Sequence, residues 1–230
     1  MRRVRGGVRS GVLAVVLGAG LVGVVGCGGG EGGSGAGAGA MGLDRVIELS
    51  ERTQKDAKSG TGTAADCPLP VDVKAAAGDA GLTAPVEPGG RGAGADEPVA
   101  EAEGGRSTDP QSFWGGKPGA TISCTYHVGA DELVVHVIAT EQGSALNGLA
   151  PAMQFATGSP VDALRADLDK AMKAERGTAV PTAGGNVVTV RLDPGGKGDV
   201  ALMVTAGEAG KSAVPGDAIR KLAESLAAQL

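Results

Sequence analysis

The sequence predicts an α+β fold: an antiparallel sheet of four or more strands, built as two hairpins, with helices packed on one side. Three observations predict it. Strand-like runs come in pairs, "ATISCTYHV" with "ELVVHVIAT" and "NVVTVRL" with "VALMVTA", each pair joined by a glycine-bearing turn. Segments with a 3.6-residue apolar period stand before, between and after the pairs. The strands read as having one apolar face each, which calls for helices on that face and solvent on the other.

The chain opens with "MRRVRGGVRS", which carries Arg2, Arg3, Arg5 and Arg9 and no acid. An apolar or small run follows from Gly11 to Val25. It is too short for a spanning helix, which needs roughly 20 residues. A basic start, a short apolar segment and a small-residue exit describe a secretory signal. The exit, Val24-Val25-Gly26-Cys27, resembles the lipobox of bacterial lipoproteins: aliphatic, small, small, then cysteine. The resemblance implies that residues 1–26 are a signal peptide and that the Cys27 thiol receives a diacylglyceryl group with chains such as palmitate. Cleavage before Cys27 then leaves a lipidated N-terminus on the outer face of the cytoplasmic membrane.

Residues 27–42 continue as the lipidated cysteine and a tether. "GGGEGGSGAGAGAMG" has one charge and nothing to build a core, so it predicts a flexible coil of about 20 Å root-mean-square reach. It contains "GAGAMG", a formal GxGxxG match. That fingerprint binds a dinucleotide only between a strand and a helix N-terminus, and here a tether surrounds it, so no cofactor is expected.

Charge narrows the partners. The whole chain is −5, and losing four arginines with the signal takes the mature chain to −9. Such a balance argues against nucleic acid, whose phosphates need clustered Lys and Arg. It also argues against contact with anionic lipid beyond the acyl anchor, and leaves small cationic partners open. Of three cysteines, the lipidated one leaves Cys67 and Cys124. In an exported chain they most simply form one disulfide. A catalytic or metal-binding thiol is the alternative, but neither has a CxxC partner or a nearby histidine in sequence.

Residues 43–230 form one domain. "LDRVIELSERTQKDAKSG", 43–60, predicts a helix with Val46, Leu49, Thr53 and Ala57 on one face, i,i+4 pairs Glu48–Arg52 and Glu51–Lys55, and Gly60 as its stop. "CPLPVDVKAAAG", 67–78, predicts a shorter helix with proline near its start. Residues 79–119, dense in Gly, Pro and acid, predict a disordered loop. Phe113 and Trp114 near its end serve to staple the returning chain to the core, or as a binding knob. In the first hairpin, Gly129-Ala130-Asp131 makes the turn and Val128 pairs with Leu133. Tyr126 then faces Val135 and Cys124 faces Val137, so the apolar faces agree and Cys124 points inward.

"SPVDALRADLDKAMKAERG", 159–177, predicts the strongest helix, with Ser159 as cap, Asp162 completing a capping-box-like pattern and a Val161, Leu164, Leu168, Met172 stripe. After the second hairpin, "PGDAIRKLAESLAAQL", 215–230, closes the chain as a helix with Ile219, Leu222, Leu226 and Leu230 in register. About 150 residues outside signal, tether and loop suffice for one core.

A lipobox, a glycine-rich tether, a first helix, a Cys-Pro just after it and a second cysteine in the first strand resemble the small actinobacterial cell-envelope lipoproteins with a one-disulfide α+β domain of unknown function. The Gly-, Ala- and Val-heavy composition fits. The resemblance implies an extracytoplasmic α+β domain and brings no catalytic residues with it.

Little reactive chemistry is legible. His127 and His136, the only histidines, fall diagonally on the outer face of the hairpin in the register above. Both imidazoles could touch one metal, but zinc wants three or four ligands and none is supplied nearby, so solvated surface histidines and no metal are expected. There is no GxSxG elbow. Asp162, Asp167 and Asp169 read as a helix start and a solvated face. The uncharged stretch 142–161 stands out, with Leu146, Leu149, Met153 and Phe155 as its apolar members. It reads as a lid over the core with at most one helical turn, or as a mobile flap beside an apolar cleft. The expected function is a non-enzymatic domain binding an envelope protein or a small apolar ligand. The alternatives are a structural or accessory envelope lipoprotein, and a hydrolase whose carboxylates meet only in space.

Overall fold

A computed structural model describes residues 40–59, 67–89, 99–103 and 116–230. The expected signal peptide, Cys27, residues 28–39 of the tether, Phe113 and Trp114 lie outside the described residues. In chain order the described elements are α1 (Leu43–Ser59), α2 (Val73–Asp79), β1 (Val86–Pro88), β2 (Val99–Glu103), β3 (Gly119–Val128), β4 (Asp131–Thr140), α3 (Ala145–Thr157), α4 (Val161–Lys173), β5 (Ala179–Pro181), β6 (Val187–Leu192), β7 (Asp199–Ala206) and α5 (Gly216–Ala227). No described helix is long and apolar enough to cross a membrane.

The class is α+β. One antiparallel sheet runs β1-β3-β4-β7-β6-β5, with β2 also on β3. β1 takes the Tyr126–Val128 end of the β3 edge and β2 the Gly119–Ser123 end. The two hairpins join through β4 and β7, from Leu133↔Ala206 to Thr140↔Asp199.

The helices do not all lie on one side. α1, α2 and α5 cover a core of Val46, Leu49, Val135, Val137, Leu202, Val204, Ile219, Leu222 and Leu226. α3 and α4 cover the opposite face, where Ile138, Ala201, Met203 and Val187 meet Leu146, Leu149, Met153, Leu164 and Leu168. The physical reason is in β7, every residue of which is buried. Such a strand needs cover on both faces, whereas β3 keeps a polar, half-buried row of Thr121, Ser123, Thr125 and His127.

Four other expectations change. The loop 79–119 contains strands β1 and β2, because the open edge of β3 otherwise presents a row of unpaired backbone groups. α2 starts at Val73, where the Asp72 side chain accepts from the Ala75 N–H at 2.9 Å. Pro68 and Pro70 disfavour helix at the residues before them and delay the start. α4 is preceded by Pro160 with no side-chain cap, so Ser159 does not serve as one.

The hairpin register is the fourth. The turn has two residues, and Val128 pairs with Asp131, Tyr126 with Leu133, Cys124 with Val135. A slip of two preserves the faces, so Cys124 still points inward. Asp131, at the start of β4, is tied to the segment before α5: its Oδ2 accepts from Ser212 Oγ, the Ala213 N–H and the Val214 N–H, at 3.0, 2.7 and 3.3 Å. Cys124 meets Cys67 in a disulfide with Cα atoms 5.6 Å apart, which ties the lead-in to α2 onto the centre of β3.

Candidate functional site

The uncharged stretch forms a helix of 13 residues rather than a lid with one turn. Leu146, Leu149 and Met153 recur at i, i+3, i+7 and are buried in the second core. Phe155 lies off that stripe and is 93% exposed. Of the four residues expected on a flap, three are therefore core and one is open. Pro151 inside the helix donates no hydrogen bond, which leaves the Asn147 carbonyl without its usual i+4 partner. Gly158, at φ 61°, ends α3 in the left-handed conformation and accommodates the sharp return into α4. Asn186 Nδ2 clamps this corner by donating to Ala156 O and Gly207 O at 2.9 and 3.1 Å.

Between α3 and α4 runs a groove of about 350 Å³ with Val161, Leu164, Leu168 and Met172 along it, and Asn147, Arg165 and Asp169 beside them. Val161 is 56% exposed and sits six positions after Phe155. These two are the exposed large hydrophobic residues among those described. Val161 stands in the lining of the groove, whereas Phe155, near the end of α3, lies outside that lining.

A charged cluster lies at the other end of α3. Asp199, 7% exposed, accepts the Ala145 N–H through Oδ2 at 2.9 Å and so caps the helix in place of Ser144. Its Oδ1 meets Arg176 Nη2 at 2.8 Å and Arg191 Nη2 at 3.8 Å. Arg176 also donates to Leu192 O, and Arg191 donates to Met172 O. The cluster locks the start of α3 and the chain just after α4 onto β6 and β7. It is structural, and nothing in the local sequence marks it, because its members come from three separate segments.

The histidines do not converge. His127 pairs across the sheet with Glu132 and His136 with Ser123, four positions apart along the hairpin. Among the described residues, no group of three or more His, Cys, Asp or Glu side chains is placed to hold a metal ion. His136 is not a solvated surface residue: burial pushes its imidazole down to about 4. Ser123 Oγ lies 2.7 Å from His136 Nδ1, the separation of a nucleophile and its base. A base pushed so low takes up little proton at neutral pH, and the pair sits mid-strand between Val99 and Met203. The serine satisfies a buried imidazole rather than acting as a nucleophile.

That burial sets a pH dependence. An imidazole near 6.5 in the unfolded chain and about 4 when folded leaves stability intact above pH 6.5 and removes it as pH falls toward 4. The loss attributable to His136 should reach up to about 3 kcal/mol by pH 4. Urea midpoints of the native chain and His136→Gln between pH 7 and 4 check this. The native chain should lose more than the variant, and parallel curves would refute the assignment.

Asp162 and Asp169 are exposed on α4, and Asp167 is partly covered on the same helix. They share no site with the Asp199 cluster. No family model matches the chain, and neither a curated protein nor a solved structure is found to match it, so a functional reading rests on this geometry and on the N-terminal sequence.

Proposed function

We propose that the chain is an exported lipoprotein, held through Cys27 on the outer face of the cytoplasmic membrane, whose domain binds an envelope protein or a small apolar ligand without converting it. The basic start, the short apolar run and the Val24-Val25-Gly26-Cys27 exit support the anchor. A disulfide between Cys67 and Cys124 accords with an oxidising compartment. The observation that carries the binding reading is the groove along α4, lined by Val161, Leu164, Leu168 and Met172, with Val161 56% exposed in it and Phe155, near the end of α3, 93% exposed. A concave site lined by apolar side chains with a few polar groups beside them is where a ligand or partner segment is expected to bind.

A photo-reactive phenylalanine analogue at position 155 tests the reading in cells. It should give an adduct of discrete mass in the membrane fraction, while the same analogue at Ala166, exposed on α4 away from the groove, should give none. A large mass shift assigns a protein partner and a small one a ligand. Combined with Cys27→Ser, acyl labelling should vanish and the chain should leave the membrane fraction. Two buried acyl chains at about 0.8 kcal/mol per methylene otherwise hold it there. No adduct at 155, or acyl labelling unchanged by Cys27→Ser, would overturn the corresponding half.

A further inference from the structure

We propose that a second cleft, where the chain enters the domain, is a binding site for a small ligand carrying a primary ammonium group on an apolar body. The cleft measures about 460 Å³, inside the roughly 300–1,000 Å³ range of small-molecule sites. Leu192, Ala227 and Ala228 give it apolar walls, and Asp193 and Glu224 bring carboxylates. Ala40, the first described residue, lines its edge.

Three observations set the sign of the ligand charge. Arg176, the cation in the lining, already has Asp199 and Leu192 O as its partners and is not free to hold an anion. Ala227 ends α5 and Ala228 is its C-cap, so the cleft lies at the negative end of a helix with no basic residue in its last turn. Glu224 pairs with Arg220 on the surface, where solvent weakens the bond, and among the described residues Asp193 accepts from the Gly195 N–H at 3.3 Å. The acidic balance of the chain, −5 over its full length and −9 without residues 1–26, draws cations toward the domain. An alkylammonium group satisfies the carboxylates and the helix end while its hydrocarbon covers Leu192 and the alanines. A free amine and an ethanolamine lipid headgroup share that ammonium.

The test uses the full lipidated chain in a neutral, amine-free detergent, with backbone amide shifts followed during titration by n-butylamine, n-butanol and butyrate. Butylamine should shift Gly177, Asp193, Ala227 and Ala228 saturably, and butanol should bind at least tenfold more weakly. Asp193→Asn with Glu224→Gln keeps side-chain shape and should weaken butylamine at least tenfold without altering shifts elsewhere. The same amides shifting only in bilayers of phosphatidylethanolamine, and not phosphatidylglycerol, would assign the ammonium to the headgroup. Equal binding of butanol, tighter binding of butyrate, an undiminished double variant, or no saturable shift with either ammonium source would overturn the proposal.

Discussion

Replacing Cys67 and Cys124 together by alanine is expected to destabilise the domain by about 4 kcal/mol. The bond closes a loop spanning 57 positions, and the chain-entropy model assigns about 4 kcal/mol to the freedom that such a loop regains in the unfolded state. The native state adds its own term. Cys124 is 2% exposed on the core face of β3, between Ile122 and Tyr126, and Cys67 packs against the same core. Alanine there leaves a small void in addition to the lost cross-link. Urea unfolding of the oxidised chain, the reduced chain and the double variant separates the two. Reduction should lower the midpoint of the native chain and leave the variant unmoved. A native midpoint insensitive to reduction, or free thiols at both Cys67 and Cys124 in the chain purified without reductant, would refute the cross-link.

Asp199→Ala should cost about 3 kcal/mol, the lower end of what removing one partner from a buried ion pair costs. The lower end applies because Arg176 and Arg191 keep 36% and 24% of their side-chain surface in solvent and rehydrate in part. Two hydrogen bonds, from Arg176 and from the Ala145 N–H at the start of α3, and the 3.8 Å ion contact with Arg191 are lost at once. Arg191 Nε is buried with no partner among the described residues, so the remaining hold on that guanidinium is its bond to Met172 O. Asp199→Asn retains an oxygen for the helix start but no charge, and should fall between alanine and the native residue. Amide exchange should quicken at the first turn of α3 before it does in β4. A loss below about 1 kcal/mol, or exchange unchanged in α3, would contradict the role of Asp199 as the shared fastening.

Local pattern was enough wherever one face of an element decides its burial. The β3 alternation, the glycine turn and the Val46, Leu49 and Ile219, Leu222, Leu226 stripes are read within a few residues of each other. Such patterns yielded the two long hairpins, four of the five described helices (α2 with a later start) and the inward direction of Cys124. Its pairing with Cys67 needed only the count of cysteines. The continuous run "VALMVTA" was a local sign of cover on both faces, and reading it as a one-sided strand placed α4 on the wrong side and left no helix at α3.

The N-terminal residues alone define the proposed anchor, because a signal and a lipobox are read by chemistry on an extended chain and need no fold. Tertiary structure decided what contiguous residues do not encode. β1, β2 and β5 form because the neighbouring strand has unpaired groups to offer, which no propensity of a three- to five-residue segment can report. The helicity of 145–157 depends on Asp199, far along the chain, and on the face of β7 that the helix covers. Whether Phe155 is buried like Leu149 or open like Val161 depends on the azimuth at which that helix docks. Burial is a property of three-dimensional neighbours, and at the candidate site those neighbours come from segments that the sequence keeps far apart.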